Sequence, residues 1–572
     1  MKNKSVSELL YKIADLMDVK GEIFFKTRAY RMAAQTIETL DEDIEVLVAK
    51  KRLQEIPGIG KAIAKKITEF VETGNLVFYE KLKKEVPEAL LLLLDIPGLG
   101  PKKVAALYQK LGISTIEQLR VACLQGRLRD LDGFGEITER NILRGISLRE
   151  KTSGRVLLNV AYDDGLKVVS FLKICSDVIK VSIAGSLRRM KETIGDIDVL
   201  ASSDSAETVM DFFVGFGDID RVLLKGSTKT SVVLNDNVQV DLRVVKPESF
   251  GAALQYFTGS KEHNVHMRSI AIKQGFKLNE YGLFDKDSEK FVVGKTEKQV
   301  YNKLGLDFVD PELRENTGEI EFAKKHTLPK LIKKEDIRGD LHVHSSWSDG
   351  SDSISDIVVA AQNKGYSYIG IADHSQSLKV ANGLSVDRVK KKIKEINRLN
   401  KKFDDITILC GTECDIKSDG SLDYPDSVLK MFDYVYVGVH VPYKVSDTSM
   451  TQRIISGMEN EHVNFLAHPT CRLIGRRPPF EIDFDQVFDA AKNTGVGLEI
   501  NSFPDRLDLN DLNIRRALQK KNRFVIGTDS HSIENLDYMR FGVATARRGW
   551  LTKSNVINTY SLKELKSILG RG

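Results

Sequence analysis

The stretch SIAGSLRRMKETIGDIDVL, residues 182–200, predicts a β-strand, a tight turn, a short helix and a second strand that carries two aspartates. The apolar, β-branched run at residues 178–183 is typical of a buried strand. Gly185 and Ser186 follow this run, where the backbone must approach another group closely. Arg188 and Arg189 stand at the start of the predicted helix, where free N–H groups already favour an anion. The stretch therefore predicts a phosphate-binding turn.

Two carboxylates follow this turn. Asp196 and Asp198 are two residues apart in a predicted strand, so both side chains lie on one face and Ile197 lies on the other. A third carboxylate, Asp241 in VQVDLRVV, belongs to another strand-like run. Three such groups could hold two Mg²⁺ ions that clamp the attacking and leaving oxygens of a transfer reaction. For a lone Asp-x-Asp pair, a solvated strand end would be an equally good interpretation. The full pattern indicates nucleotidyl transfer.

These motifs resemble those of the family X DNA polymerases, and the run YFTGS at residues 256–260, with Asn264 and Arg268, resembles the nucleotide-binding segment of that family. The resemblance implies that Asp196, Asp198 and Asp241 are catalytic and bind Mg²⁺ or Mn²⁺. It implies a nucleotide-binding site made of Gly185, Ser186, Arg189, Tyr256, Phe257, Gly259, Ser260, Asn264 and Arg268. Lys261 departs from the pattern, which has an acidic residue at this position.

A glycine turn recurs in the N-terminal third. Residues 53–67 and 96–103 each place a Pro-Gly-x-Gly turn between an apolar residue and a lysine-rich helix, and residues 131–135 form a weaker copy. Such a turn frees backbone amides for a DNA phosphate, although any single copy could be an ordinary glycine-capped helical hairpin. The repetition predicts helix-hairpin-helix DNA binding through Gly58, Gly60, Lys61, Lys65, Gly98, Gly100, Lys102 and Lys103.

The first 80 residues resemble the small 5′-phosphate-binding and lyase domain of the same family. Lys66 falls at the Schiff-base lysine of that domain, whereas Ala62 and Phe25 replace residues found in its lyase-active members. Lys66 is therefore predicted either as a lyase nucleophile or as a phosphate contact.

Histidines and acidic residues follow apolar, strand-like runs throughout the C-terminal half, with helical stretches between them. This alternation predicts repeated βα units with polar residues at the carboxyl ends of the strands, where barrel enzymes place their chemistry. A single histidine at such a place is more often structural. Nine residues in one arrangement indicate a cluster of two or three divalent ions such as Mn²⁺ or Zn²⁺. Arg472, Arg476 and Arg477 follow one of these histidines, either as phosphate ligands or as part of a solvated loop.

This half resembles the PHP domain, a metal-dependent phosphoesterase. The resemblance maps its metal ligands onto His342, His344, Asp349, His374, Glu413, His440, His468, Asp529 and His531. It implies a 3′–5′ exonuclease, with cleavage at abasic sites as a further reaction. The whole chain thus resembles a bacterial family X DNA polymerase that fills short gaps in base excision repair, with gapped or primer–template DNA and deoxynucleoside triphosphates as partners. Two alternatives remain open: a phosphomonoesterase of the histidinol-phosphate phosphatase type with a DNA-binding module, and a repair scaffold without turnover.

Composition agrees with a multidomain protein. The 572 residues exceed what one core organises, and apolar and charged contents of 42% and 29% are ordinary for a globular protein. Five cysteines without a Cys-x-x-Cys pair predict reduced thiols, and a net charge of +5 permits nucleic-acid binding without indicating it. Lacking an apolar run of about 18 residues or a secretory signal, the chain is predicted to be cytoplasmic and without membrane contact. A monomer associated with the nucleoid is the further expectation.

The predicted fold is multidomain, with an all-α helix-hairpin-helix region, an α/β nucleotidyltransferase palm, an α+β thumb and a (β/α)-barrel-like PHP domain. The predicted boundaries are 1–80 for the lyase-like domain, 81–150 for the second helix-hairpin-helix subdomain, 151–248 for the palm, 249–312 for the thumb, 313–338 for a linker and 339–572 for the PHP domain.

Overall fold

The computed structural model describes the chain except for residues 1, 23, 39–42, 57, 95, 97, 98, 130, 132, 153, 441–446, 571 and 572. It divides into two compact units. One comprises residues 1–153 with the short segment 475–478, and the other comprises residues 154–474 and 479–572. Among the described helices, none combines the length and the apolar character that a membrane span needs.

The first unit contains helices and no strand among its described residues, as predicted. Gly60 and Gly100 are N-cap residues of its helices, and at Gly58 the φ of +85° lies in the region that favours glycine. The helices are α1 (Lys2–Lys20), α2 (Phe24–Glu38), α3 (Ile44–Ala49), α4 (Lys61–Thr73), α5 (Val77–Glu85), α6 (Leu91–Leu94), α7 (Pro101–Leu111), α8 (Ile116–Leu124) and α9 (Glu136–Thr152).

The palm is a mixed sheet with strand order β2-β4-β7-β6-β5, in which only the pairing of β4 with β7 is parallel among the described strands. Apolar residues of α10 and α12 pack with the sheet in one core. The elements are β1 (Val156–Leu157), α10 (Leu158–Leu172), β2 (Lys180–Ile183), α11 (Gly185–Arg188), β3 (Thr193–Ile194), β4 (Asp196–Ser202), α12 (Ala206–Phe213), β5 (Ile219–Lys225), β6 (Lys229–Leu234) and β7 (Gln239–Val245).

The thumb follows the palm and joins helices to a small antiparallel sheet of order β10-β9-β8. Its elements are α13 (Phe250–Thr258), α14 (Lys261–Lys273), β8 (Phe276–Asn279), β9 (Gly282–Asp285), β10 (Phe291–Val293), α15 (Glu297–Lys303) and α16 (Glu319–Lys324).

The segment 313–338, predicted as a linker, is packed against the thumb. Ile320, Ala323 and Leu331 lie in the thumb core, and α16 forms within the segment. The segment looked solvated because it is rich in charge, but two of those charges are buried. Arg314 donates to Glu297 at 2.7 Å, and Glu319 bonds to His263 at 2.6 Å. Charges that are ion-paired or hydrogen-bonded in this way are compatible with burial.

The C-terminal barrel is a parallel sheet of order β11-β12-β13-β14-β15-β16-β17, so the predicted fold class is confirmed. Backbone bonds beyond the strand ends nearly close it, because Asp529 N donates to His342 O at 2.9 Å and His344 N donates to Ser530 O at 2.8 Å. The elements are β11 (Gly339–Val343), α17 (Ile354–Asn363), β12 (Tyr368–Ile371), α18 (Val386–Leu399), β13 (Thr407–Asp415), α19 (Asp426–Leu429), β14 (Tyr434–Gly438), α20 (Asp447–Met458), β15 (Phe465–Leu466), α21 (Phe484–Thr494), β16 (Gly497–Asn501), α22 (Asp511–Gln519), β17 (Phe524–Gly527), α23 (Met539–Arg548) and α24 (Leu562–Ile568).

Barrel residues also belong to the cores of the palm and thumb. Leu507 and Phe541 are buried in the palm core, and Trp550 is buried in the thumb core. Arg472 adds an ion pair of 2.7 Å to Glu192 of the palm. Palm, thumb and barrel are therefore joined by shared apolar packing, which places the C-terminal end of α23 beside the polymerase-like part.

Candidate active sites

Strand pairing brings the three palm carboxylates together. Asp196 and Asp198 lie on β4 and Asp241 lies on β7, where the parallel register sets Asp241 opposite Asp198. One ligand oxygen from each of the three lies within 4.8 Å of the others. Ile197 is fully buried beneath them, in agreement with the predicted strand alternation. The geometry suits divalent cations with oxygen ligands.

The three carboxylates differ electrostatically. Burial, followed by the charges of Asp196 and Asp241, raises the pKa of Asp198 to about 7. Burial also acts to raise the pKa of Asp241, but hydrogen bonds from Lys229 and Gln239 outweigh it and hold that pKa below its usual value. Lys229 Nζ lies 2.6 Å from Asp241 Oδ2. Lys229, which the sequence prediction missed, therefore stabilises one ligand in its charged form.

A cavity of about 530 Å³ lies beside these carboxylates. Most of the predicted nucleotide-binding residues line it, together with cationic residues that the prediction did not assign. The lining residues are Arg155, Gly185, Ser186, Arg189, Lys191, Asp196, Asp198, Tyr256, Phe257, Gly259, Lys261, Asn264 and Arg268. Because cations and candidate metal-ligating carboxylates line the same cavity, it suits a polyanion bound through divalent ions.

Ser260 departs from the predicted site. Its side chain is buried and its Oγ accepts from His263 N at 3.2 Å, which caps α14. It is not among the residues that line the cavity. The amide of Asn264 does line the cavity, although it also donates to Tyr256 O at 2.6 Å and accepts from Gln255 at 2.7 Å. Ser260 is therefore a helix cap, a role that Ser plays at many helix starts.

The nine predicted ligands of the barrel meet at the carboxyl ends of its strands. Five histidines surround the buried carboxylate of Glu413. The distances from a ring nitrogen to a carboxylate oxygen are 3.4 Å for His342, 3.6 Å for His344, 3.0 Å for His374, 3.0 Å for His440 and 2.9 Å for His468. Asp529 lies 3.1 Å from His344, and Asp349 lies 3.5 Å from His531. The cluster contains three overlapping groups with the spacing of metal ligands.

The polar atoms of this cluster fit metal ions better than they fit one another. Within the described part of the chain, His342 Nε2, both ring nitrogens of His344, His374 Nδ1 and Glu413 Oε2 are buried, and their short contacts with one another lack the geometry of hydrogen bonds. Burial lowers the pKa of His344 to about 4, which favours the neutral ring that binds metal. Buried polar atoms without partners cost free energy unless a ligand satisfies them, so the donor set fits divalent cations.

Two carboxylates outside the predicted set orient its histidines. Glu499 Oε1 lies 2.5 Å from Nδ1 of His342, and Asp415 Oδ1 lies 2.7 Å from Nδ1 of His440. Carboxylates commonly fix the ring orientation of metal-binding histidines in this way. The signal was present in the sequence, because Glu499 lies near the end of β16 as the other ligands lie near the ends of their strands.

Arg506 is a further residue that the prediction missed. Its Nε lies 3.3 Å from Asp529 Oδ2, its side chain is mostly buried, and its Nη1 has no hydrogen-bond partner among the described residues. Arg472, one of the predicted phosphate ligands, instead donates to the carbonyls of Arg506 at 2.7 Å and Leu507 at 2.6 Å. Arg472 thus supports the segment that carries Arg506.

In the first unit, the predicted DNA-binding lysines lie at helix starts. Lys61 and Lys102 are exposed on the first turns of α4 and α7, and Lys65 is exposed on the second turn of α4, whereas Gly98 lies outside the described residues. Lys66 Nζ lies over the ring of Phe78 at 4.7 Å and over that of Tyr30 at 5.9 Å. The lysines surround the helix N-termini, an arrangement that favours phosphate groups.

Four protein families match separate parts of the chain. The helix-hairpin-helix domain family matches residues 1–76, the SAM-like helix-hairpin-helix tandem matches 90–147, the DNA polymerase beta thumb matches 253–315 and the PHP domain matches 340–503. The thumb match includes Arg314 and Glu315, which lie beyond the predicted thumb boundary at 312.

Known proteins resemble the chain over different lengths. The DNA polymerase/3′-5′ exonuclease PolX of Bacillus subtilis is 40% identical over 573 residues, covering 100% of both chains. DNA polymerase lambda of Rattus norvegicus is 25% identical over 348 residues, covering 55% of this chain and 56% of the relative. The DNA polymerase type-X family protein pol4 of Schizosaccharomyces pombe is 26% identical over 349 residues, covering 55% and 65%.

We predict that Gly185→Ala weakens metal binding in the palm about tenfold or more. A Cβ at Gly185 would lie 2.1 Å from Asp198 Oδ2, so the carboxylate would have to move. Titration with Mn²⁺ measures the affinity of the palm site. The variant Asp198→Ala serves as the reference in which this site is lost. Gly305→Ala is the matched control, because Gly305 also has positive φ but nothing within 4 Å of its Cβ position. Equal affinities in Gly185→Ala and the parent would contradict the prediction.

We predict that the palm site binds Mn²⁺ about tenfold more weakly at pH 6 than at pH 8. Asp198, whose pKa is raised to about 7 without metal, must lose its proton before it can bind a cation. As the pH falls through 7, proton uptake competes with the metal. Binding measured in buffers of different ionisation enthalpy should also reveal about one proton released at pH 6. An affinity unchanged between the two pH values would mean that Asp198 has an ordinary pKa.

Proposed function

The chain belongs to the family X DNA polymerases that carry a PHP domain, and from this membership we propose how its two sites divide the work on DNA. The protein is a DNA polymerase and a 3′–5′ exonuclease. We assign nucleotide addition to the palm and removal of nucleotides to the barrel. Two separate clusters of metal-ligating side chains, one in each part, support this assignment.

In the palm, Asp196, Asp198 and Asp241 would hold two divalent ions, Mg²⁺ or Mn²⁺. Such ions activate the primer 3′-hydroxyl and neutralise charge on the reacting phosphate. The chain's own residues bind and orient the nucleotide. Arg189 and Lys191 line the cavity as donors for the triphosphate, and Tyr256 and Phe257 line it where the sugar would lie. Fixed cations near the reacting group lower the barrier because they need no reorganisation during the reaction.

In the barrel, the nine clustered residues would hold two or three ions, Mn²⁺ or Zn²⁺. Such ions supply a nucleophile at neutral pH and polarise the phosphate. Glu499 and Asp415 hold the rings of His342 and His440 in their ligating orientation. Arg506 contacts Asp529 of the cluster through Nε and has a buried Nη1 without a hydrogen-bond partner among the described residues, so we propose that it binds the scissile phosphate.

The DNA is gapped or primer–template duplex, and base excision repair is the proposed setting. Helix-hairpin-helix units contact the backbone without reading bases, which suits a repair enzyme that acts on any sequence. The barrel site is also proposed to cut at abasic sites. Lys66 remains a candidate either for a lyase reaction or for a phosphate contact.

We predict that Asp198→Ala abolishes primer extension and leaves primer shortening intact, whereas His342→Ala has the opposite effect. Each variant removes a ligand from one cluster only. The assay follows a labelled primer on gapped DNA with Mn²⁺, with and without nucleotides, and a parallel duplex carries an abasic site. If Asp198→Ala abolished both reactions, shortening would be a reversal in the palm, and the assignment of the barrel would be wrong.

We predict that Arg506→Gln lowers the exonuclease rate about 100-fold, as loss of one fixed donor to a reacting group does in other enzymes. Arg506→Lys should lower the exonuclease rate less than Arg506→Gln does, because lysine keeps the positive charge although it lacks the planar set of guanidinium donors. Primer extension should match the parent. Mn²⁺ stoichiometry must be measured as well, since Arg506 neighbours Asp529. An unchanged exonuclease rate, or a loss fully explained by missing metal, would contradict a role in phosphate binding.

A further inference from the structure

A row of alternating charges connects the barrel to the nucleotide cavity of the polymerase. Its members are Asp511 at the start of α22, Arg548 at the end of α23, Glu315 between α15 and α16, and Arg189 after α11. Arg548 bonds to Asp511 through Nη2 and to Glu315 through Nη1 at 3.0 Å. Arg189 Nε donates to Glu315 at 3.1 Å. The row therefore begins in the exonuclease domain and ends at a cavity-lining guanidinium.

Arg548 is built into this junction. Its side chain is 4% exposed, and its Nη1 also donates to the backbone carbonyl of Arg189 at 2.8 Å. It thus holds Arg189 at two points, directly through the main chain and indirectly through Glu315. Arg189 also donates to Thr258 O, at the end of α13, so its guanidinium is fixed between the thumb and Glu315.

Glu315 is the sensitive member of the row. Burial acts to raise its pKa, but the charges of Arg548, Arg189 and Lys191 outweigh burial and keep the group ionised. Both Arg189 and Lys191 line the nucleotide cavity. A carboxylate bonded to a cavity-lining arginine would compete with a bound triphosphate for Arg189 and would repel it, unless another cation compensated the negative charge. Arg548 is the compensating cation that does not itself line the cavity.

We propose that Arg548, a residue of the PHP barrel, completes the nucleotide site of the polymerase by neutralising Glu315 and holding Arg189 in place. The proposal rests on the proposed nucleotide-binding role of Arg189. It makes Arg548 a positioning residue rather than a catalytic one, because it acts on the triphosphate through Glu315 and Arg189. The nucleotide affinity of the polymerase then depends on the PHP barrel, although the barrel carries out a different reaction at a separate site.

Steady-state extension on gapped DNA by the full chain tests the proposal. Arg548→Gln should raise the KM for the incoming nucleotide about tenfold and change kcat less than about threefold, because it weakens ground-state binding. Primer shortening measured without nucleotides should match the parent, which verifies that the variant folds. Adding Glu315→Gln to Arg548→Gln should return the KM to within about threefold of the parent, since the uncompensated charge is then gone.

Arg547→Gln is the matched control. Arg547 is the neighbour of Arg548 on α23 and joins the same domains, donating to Glu312 at 2.7 Å and to Ile332 O at 3.0 Å, but its partners do not reach the cavity. A KM increase of equal size in Arg547→Gln, or no rescue by Glu315→Gln, would mean that Arg548 only holds the domains together and would overturn the proposal. So would an unchanged KM in Arg548→Gln.

Arg189→Gln separates failure of this inference from failure of its premise. If Arg189→Gln raises the KM and Arg548→Gln does not, only the role of Arg548 is wrong. If Arg189→Gln leaves the KM unchanged, Arg189 does not bind the nucleotide and the proposed nucleotide site must be revised together with this inference.

Discussion

The buried carboxylate of Glu413 is the charge around which the barrel mouth is organised. Ligand nitrogens from His342, His374 and His468, on three different strand ends, lie within 3.4 Å of it. A carboxylate inside an apolar barrel is costly unless cations or strong donors surround it, so these strand ends must converge. The parallel sheet meets this requirement, because all of its carboxyl ends lie on one side. Ligand geometry and barrel closure thus depend on the same arrangement.

Much of this could be predicted from sequence because the relevant signals are local. Alternation along β4 places Asp196 and Asp198 on one face, and each barrel ligand lies at or just beyond the end of an apolar run or in the loop that follows it. The helix-hairpin-helix turns are likewise recognisable from a motif of a few residues. Where a short pattern determines both the backbone and the direction of a side chain, prediction and structure agree.

The features that the sequence did not reveal depend on partners distant in the chain. Residues 313–338 look like a charged linker until Arg314 is paired with Glu297, and the sequence motif around Ser260 gives no sign that its hydroxyl caps α14. Arg506 and Arg548 carry no local motif, and each becomes informative only beside groups from other strands and helices. Local sequence patterns do not indicate contacts of this kind, because pairing with residues distant in the chain decides whether a charged side chain is solvated or buried.

The shared cores have a consequence for how such a gene can change over time. Leu507 and Phe541 of the barrel fill the palm core, so a deletion that removed the barrel would leave holes in the polymerase. Substitution of a few residues of the candidate metal cluster, by contrast, would silence the exonuclease and keep the packing. A lineage with no use for the nuclease would therefore retain the barrel as a folded but inactive domain. Loss of the nuclease activity would then not be accompanied by loss of the domain.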